Sequence, residues 1–180
     1  MPEYAAFLRG MNLGKRRLKN DELCAAFTAL GFEQVCSFRA SGNVAFAAPV
    51  GSLGELTERI ETGLAEALGY PVPTFLRTAA EVRRIALHEP FAAALLSASA
   101  GKLQVMLLAS DPSAKVRKAV LNLPDERDRL AFGEHELYWL PSGGLLDSEL
   151  DLKAIAALLG PNTTRTKGTL ELMAAKHFPQ

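Results

Sequence analysis

The sequence predicts an α+β protein made of two halves, each an antiparallel sheet with helices packed on one face. The first observation is the order of short apolar segments and amphipathic segments, which reads β-α-β-β-α-β over residues 1–77 and begins again near residue 103. The second is composition: 48% of the 180 residues are hydrophobic, and 20 basic residues balance 20 acidic residues. Such a chain forms a packed core, which excludes a disordered polyelectrolyte, and its zero net charge disfavours a protein that coats nucleic acid.

The elements of the first half follow from hydrophobic spacing and from residues that begin or end helices. Asn20 provides the N-cap of the first helix and Gly31 ends it, while Ser52 and Glu55 form the capping box of the second helix. In chain order the predicted elements are a strand over 3–8, a helix over 20–30, strands over 34–38 and 44–47, a helix over 53–68 and a strand over 72–76. This order is that of the ferredoxin-like unit, an antiparallel sheet with two helices on one face.

The second half repeats this order after a helical connector, in which a helix begins at Thr78 and stops at Pro90. The further elements are a strand over 103–108, a helix opened by Asp111 and Pro112, strands over 129–132 and 137–140, a helix over 150–159 and a final helix over 168–177, with no clear last strand. The predicted domains are an N-terminal ferredoxin-like lobe over 1–77, the helical connector over 78–101, and a second α+β lobe with a C-terminal helix over 102–180.

Two finer expectations concern the second half. Tyr138 and Trp139 alternate on a strand, which predicts one side chain in the core and the other facing solvent or a partner. Asp147 or Ser148 is expected to cap the helix over 150–159.

A basic loop follows the first strand and carries the main functional signal. Five basic residues and no acidic residue lie between positions 9 and 19. In a ferredoxin-like unit the first and third strands are antiparallel neighbours, so this loop is expected to meet the turn over 39–43. Glycines that let the backbone approach a ligand, together with guanidinium groups, predict an anion site there. The predicted ligand-binding residues are Arg9, Gly10, Asn12, Lys15, Arg39, Ser41, Gly42 and Asn43, with Arg165 as a second contact.

The alternative for the same segment is a solvated basic loop in which Arg9 or Arg39 pairs with a nearby carboxylate. A phosphate-binding P-loop is excluded, because Gly10 and Gly14 lie too close together and Arg16 stands where Ser or Thr would hold magnesium.

These motifs resemble the domain of unknown function 1697 family. Arg9-Gly10-Met11-Asn12-Leu13-Gly14 is similar to the Arg-Gly-Ile-Asn-Val-Gly that ends a strand in that family, and residues 41–46 resemble its Ser-Gly-Asn-Val-hydrophobic-Phe. Pro90-Phe91 is similar to its Asn-Pro-Phe element. Residues 164–169 resemble its C-terminal Thr-x-Arg-Asn-Trp-Asn-Thr, with Thr, Lys and Gly in place of Asn, Trp and Asn. The resemblance implies a cytoplasmic α+β protein of two ferredoxin-like lobes, without an established activity to transfer.

Three kinds of function stay open at this point. The first is a cytoplasmic protein that binds a small phosphate- or carboxylate-bearing ligand at the basic edge, and the second is an enzyme at the same edge, for which the sequence identifies no acid or base. The third is an RNA-binding or protein-interaction module that uses the apolar sheet or the Trp139 strand. Residues 39–46 loosely fit an RNA-recognition motif, but Ser41 and Asn43 stand where that motif needs aromatic rings.

No cofactor, metal or membrane partner is expected. The histidines His88, His135 and His177 lie far apart in the sequence, and Cys24 and Cys36 form no CxxC motif. The chain shows no targeting or membrane-spanning segment, so a cytoplasmic location is expected. A monomer or weak homodimer is expected.

Overall fold

The protein contains two four-stranded antiparallel sheets and seven helices within the residues that the computed structural model describes, which are 1–11, 17–39, 42–123, 127–145 and 148–179. The predicted α+β class is confirmed. The strands are β1 (Glu3–Leu8), β2 (Glu33–Ser37), β3 (Asn43–Ala47), β4 (Thr74–Thr78), β5 (Gln104–Leu108), β6 (Arg129–Phe132), β7 (Glu136–Leu140) and β8 (Asn162–Thr166). The helices are α1 (Asn20–Ala29), α2 (Leu53–Leu68), α3 (Ala79–Leu87), α4 (Ala93–Ala98), α5 (Ala114–Leu121), α6 (Leu152–Leu159) and α7 (Lys167–His177).

The chain divides into two compact units. The first unit comprises Met1–Arg84 and Met173–Gln180, and the second comprises Ile85–Leu172. The strand order is β2-β3-β1-β4 in the first unit and β6-β7-β5-β8 in the second. The division into domains at residues 77 and 101 stays a prediction.

The core of the first unit lies between one face of its sheet and the helices α1 and α2. Alternate residues of β1 face these helices, because successive side chains of a strand point to opposite sides. Phe46 of β3 anchors the aromatic part of this core, with its ring centroid 5.5 Å from that of Phe27 and 4.8 Å from that of Phe32. The predicted capping box opens α2, since the amide of Glu55 donates to the Ser52 hydroxyl at 3.1 Å.

The second unit repeats this arrangement, with α5 and α6 packed on one face of its sheet through Val120 and Ile155. The strand register repeats as well. Ala5 pairs with Arg77 in the first unit, and Val105 pairs with Arg165 in the second. Phe7 pairs with Asn43, and Leu107 pairs with Glu136. The common element order and register support two related halves.

The expectation that the second half lacks a last strand was wrong. Residues 162–166 form β8, which pairs with β5 along its whole length, and the amide of Lys167 extends the pairing by donating to the carbonyl of Leu103 at 2.9 Å. The strand has no apolar residue, so no hydrophobic signal marked it, although three of its five residues are the β-branched Thr.

The expectation that Tyr138 or Trp139 faces outward was also wrong, because both are buried. Each polar atom finds an internal partner, which removes the penalty of burying it. The Tyr138 hydroxyl lies 3.2 Å from the Glu136 carboxylate, and the Trp139 indole nitrogen donates to the Asp128 carboxylate at 3.1 Å.

The cap of α6 also differs from the prediction. Asp151 accepts from the amide of Ala154 at 2.9 Å, whereas the Ser148 hydroxyl binds Asp128. Asp147 lies outside the described residues.

Candidate functional site

The end of β1 lies directly beside the start of β3, as the sheet topology predicts. The register pairs Phe7 with Asn43, and the amide of Leu8 donates to the carbonyl of Gly42 at 2.8 Å. On the other side of β1, the Arg9 amide donates to the carbonyl of Pro73, the residue that precedes β4, at 2.9 Å. The two turns of the predicted anion site therefore begin next to each other.

Gly42 makes close contacts with Leu8 and Met11, which lie at the end of β1 and just after it. Its φ of +70° lies in the left-handed region, which favours glycine. A Cβ atom at this position would lie 3.0 Å from the Met11 methyl carbon, 3.2 Å from the Leu8 Cβ and 3.3 Å from the Leu8 carbonyl oxygen. Both the backbone conformation and the close contacts thus favour glycine.

Asn43 closes the turn between β2 and β3. Its side-chain nitrogen donates to the carbonyl of Phe38 at 3.0 Å, and the Phe38 amide donates to the Asn43 carbonyl at 2.8 Å. The Asn43 side chain is fully buried. This side chain therefore shapes the turn, and direct contact of Asn43 with a ligand stays a prediction.

Arg39 projects from the same turn. Its φ of +59° is a left-handed conformation that costs a residue with a Cβ atom about 1–2 kcal/mol. The guanidinium carbon lies 5.7 Å from the centroid of the Phe38 ring, and Arg39 forms no ion pair with any described residue. The exposed cation is therefore held at the edge of the sheet without a neutralising carboxylate from the described part of the chain.

The C-terminal helix adds two side chains to this turn that the sequence analysis left out of the site. The Lys176 ammonium lies 5.9 Å from the Phe38 ring centroid, and the His177 ring stands edge-on to Phe38 at 5.6 Å between centroids. All three residues belong to the first unit. The spacing of apolar residues in α7 predicts which face of the helix is buried. It does not predict which turn of the protein that face contacts.

Burial lowers the pKa of His177, and the positive charge of the neighbouring Lys176 lowers it further. Its Nε2 atom is buried and has no hydrogen-bond partner among the described residues. The lowered pKa favours the uncharged imidazole at neutral pH.

The remaining predicted site residues divide into two groups. Asn12, Lys15 and Ser41 lie outside the described residues. Arg165 lies on β8 of the second unit, where its guanidinium donates to the Thr163 hydroxyl and the Thr164 carbonyl, each at 2.9 Å. Burial lowers the pKa of Arg165 to about 10. Its role as a second anion contact stays a prediction.

The described residues contain no cluster of three His, Cys, Asp or Glu side chains suited to a metal ion. None of the described helices combines the length and the hydropathy needed to cross a bilayer. Cys24 and Cys36 are half-buried free thiols.

Comparison with known proteins supports the fold and names a family. A solved structure described as the conserved bacterial protein SP0830 from Streptococcus pneumoniae is similar to this chain, with a TM-score of 0.71 and 21% sequence identity over 97% of each chain. At that identity the similarity shows the fold alone. No curated protein matches the chain. The model of the family described as protein of unknown function (DUF1697) matches residues 1–138, which is more than half of the sequence, and the chain belongs to this family.

Proposed function

We propose that this protein binds a small phosphate- or carboxylate-bearing ligand at the edge of the first sheet where β1 ends and β3 begins. The proposed contacts from described residues are Arg9, Gly10, Arg39 and Gly42, with Asn43 shaping the turn. Asn12, Lys15 and Ser41 belong to the same proposal because they continue the two turns. We interpret both β-α-β-β-α-β units as ferredoxin-like and regard the protein as cytoplasmic, and as a monomer or weak dimer.

The observation that carries this proposal is the state of Arg39. An exposed arginine that pairs with no carboxylate of the described residues is ordinary on a protein surface, but this one has a left-handed backbone beside a buried strand end. A guanidinium group binds the oxygens of phosphate or carboxylate through two parallel hydrogen bonds. The strained backbone of Arg39 supports a role in positioning that group for a ligand.

Backbone geometry next to Arg39 supports the same role. Gly10, which is partly exposed, has a φ of +74°, so the turn after β1 bends sharply at a residue that has no side chain. Gly42 has a φ of +70° and is buried against Leu8 and Met11, so it shapes the second turn. A small anion approaches the backbone at a residue such as Gly10 more closely than it approaches a helix or strand that carries side chains.

Nothing among the described residues favours the interaction module built on Trp139, because that side chain is buried and bound to Asp128. Phe38 is only 8% exposed, which is too little for its ring to stack on a nucleic-acid base.

Calorimetric titration with inorganic phosphate, sulfate and citrate tests the proposal. We expect saturable binding by the wild type and a five- to tenfold weaker affinity for Arg39→Ala, since a partly exposed charge-assisted contact contributes about 1–1.5 kcal/mol. Arg129→Ala, which removes an exposed arginine of the second unit, is the matched control and should bind as the wild type does. Absence of binding of all three anions to the wild type would overturn the proposal.

A further inference from the structure

Three polar side chains lie around the ring of Phe38, and they come from parts of the first unit that are far apart in the sequence. Arg39 and Lys176 place their cationic groups 5.7 and 5.9 Å from the ring centroid, and the His177 ring packs edge-on against it at 5.6 Å. Because Phe38 is nearly buried, its ring offers little surface to a ligand, and the polar groups around the ring are the candidates for ligand contact.

The charges in this group are not balanced by the described part of the chain. Neither Arg39 nor Lys176 forms an ion pair with a described residue. The buried Nε2 of His177 also has no hydrogen-bond partner there. A buried polar atom without a partner loses the hydrogen bonds it makes to water, so its presence in a folded protein calls for an explanation. A ligand oxygen at this point would provide one.

We propose that Lys176 and His177 complete the anion site, and that the ligand group it prefers is a phosphate monoester. This inference rests on the proposed function. A phosphate monoester carries nearly two negative charges at neutral pH and offers three acceptor oxygens. Arg39 and Lys176 supply two positive charges, and the His177 tautomer protonated at Nε2 supplies a third donor. A carboxylate, with one charge and two oxygens, leaves one of these groups unused.

The same geometry couples ligand binding to protonation of His177. In the free protein, burial and the positive charge of Lys176 on the same helix both oppose the imidazolium form of His177. Arg39 lies on the other side of the contact, beside Phe38. A bound dianion reverses that field and raises the pKa of His177. Affinity for a dianion therefore increases as the pH falls through the bound pKa of His177 towards its lower free pKa. Sulfate is the suitable probe because its own charge does not change in that range.

The test combines variants with a direct observation of His177. We expect Lys176→Ala to weaken sulfate binding about five- to tenfold, and His177→Gln to abolish the increase of affinity at low pH while leaving weaker binding at pH 7. Acetate should bind more weakly than sulfate to the wild type. Lys153→Ala, which removes an exposed lysine on α6 of the second unit, is the matched control.

The outcomes separate this inference from the proposed function. If the wild type binds sulfate and Arg39→Ala weakens binding, but Lys176→Ala and His177→Gln behave as Lys153→Ala does, the role of α7 is refuted and the proposed site survives. If the wild type binds no anion, both fail. NMR titration of the wild-type His177 ring is independent of how the variants fold. An increased pKa in the presence of sulfate supports the inference, and an unchanged pKa refutes it.

Discussion

Replacing Gly42 with alanine tests how tightly the first and third strands approach each other at the proposed site. Two costs add at this position. The φ of +70° costs a residue with a Cβ atom about 1–2 kcal/mol. The new methyl group would also lie 3.2 Å from the Cβ and 3.3 Å from the carbonyl oxygen of Leu8. The amide of Leu8 donates a hydrogen bond to the carbonyl of Gly42. Overpacking of this kind costs about 1–3 kcal/mol, because Leu8 cannot move without breaking the strand pairing.

Gly69→Ala is the matched control for this experiment. Gly69 ends α2 in the same unit with a φ of +77°, but a Cβ atom added there would meet no described atom within 4 Å. This variant therefore reports the backbone cost alone. Urea unfolding followed by circular dichroism should show that Gly42→Ala loses about 1–3 kcal/mol more stability than Gly69→Ala. Equal losses, or a smaller loss for Gly42→Ala, would refute the close approach of the two turns.

Two further predictions concern buried and capping carboxylates. Asp128→Asn should destabilise the protein by about 1–3 kcal/mol, because Asp128 accepts hydrogen bonds from the Trp139 indole and the Ser142 amide. The variant should also change the fluorescence of Trp139, the only tryptophan. Unfolding and emission equal to those of the wild type would contradict this prediction. Glu55→Gln should reduce stability at neutral pH but not in acid. Hydrogen bonds from the Ser52 side chain and backbone lower the pKa of Glu55 below its usual 4.5. These hydrogen bonds therefore stabilise the folded protein above pH 4.5, and the stabilisation is lost as the pH falls through the lowered pKa of Glu55 in the folded state. Urea unfolding at several pH values checks this, and a pH-independent difference between the two proteins would argue against it.

The sequence predicts the adjacency of β1 and β3 because topology decides it. Once the order β-α-β-β-α-β is recognised, the first and third strands are neighbours, and Leu8 must lie near Gly42. Local chemistry explains a smaller error in the same sheet. The strand predicted over 72–76 is observed as β4 (Thr74–Thr78), since Pro71 and Pro73 have no N–H group for the ladder.

Two other features could not be predicted from local patterns. β8 is made of polar residues, so only the partner strand β5 and its register reveal it. The contact of His177 with Phe38 joins residues far apart in the sequence. Hydrophobic periodicity shows that α7 has a buried face, but which turn this face covers depends on the packing of the whole unit.

Chemical-shift mapping by NMR with sulfate and inorganic phosphate tests the central claim most directly. We predict saturable shifts in the backbone amides of Arg39, Gly42 and Asn43, accompanied by shifts at Lys176 and His177, with little change in the second unit. Shifts confined to the second unit, around Arg165 for example, or no saturable shifts at all, would contradict the claim that the edge of the first sheet is an anion site.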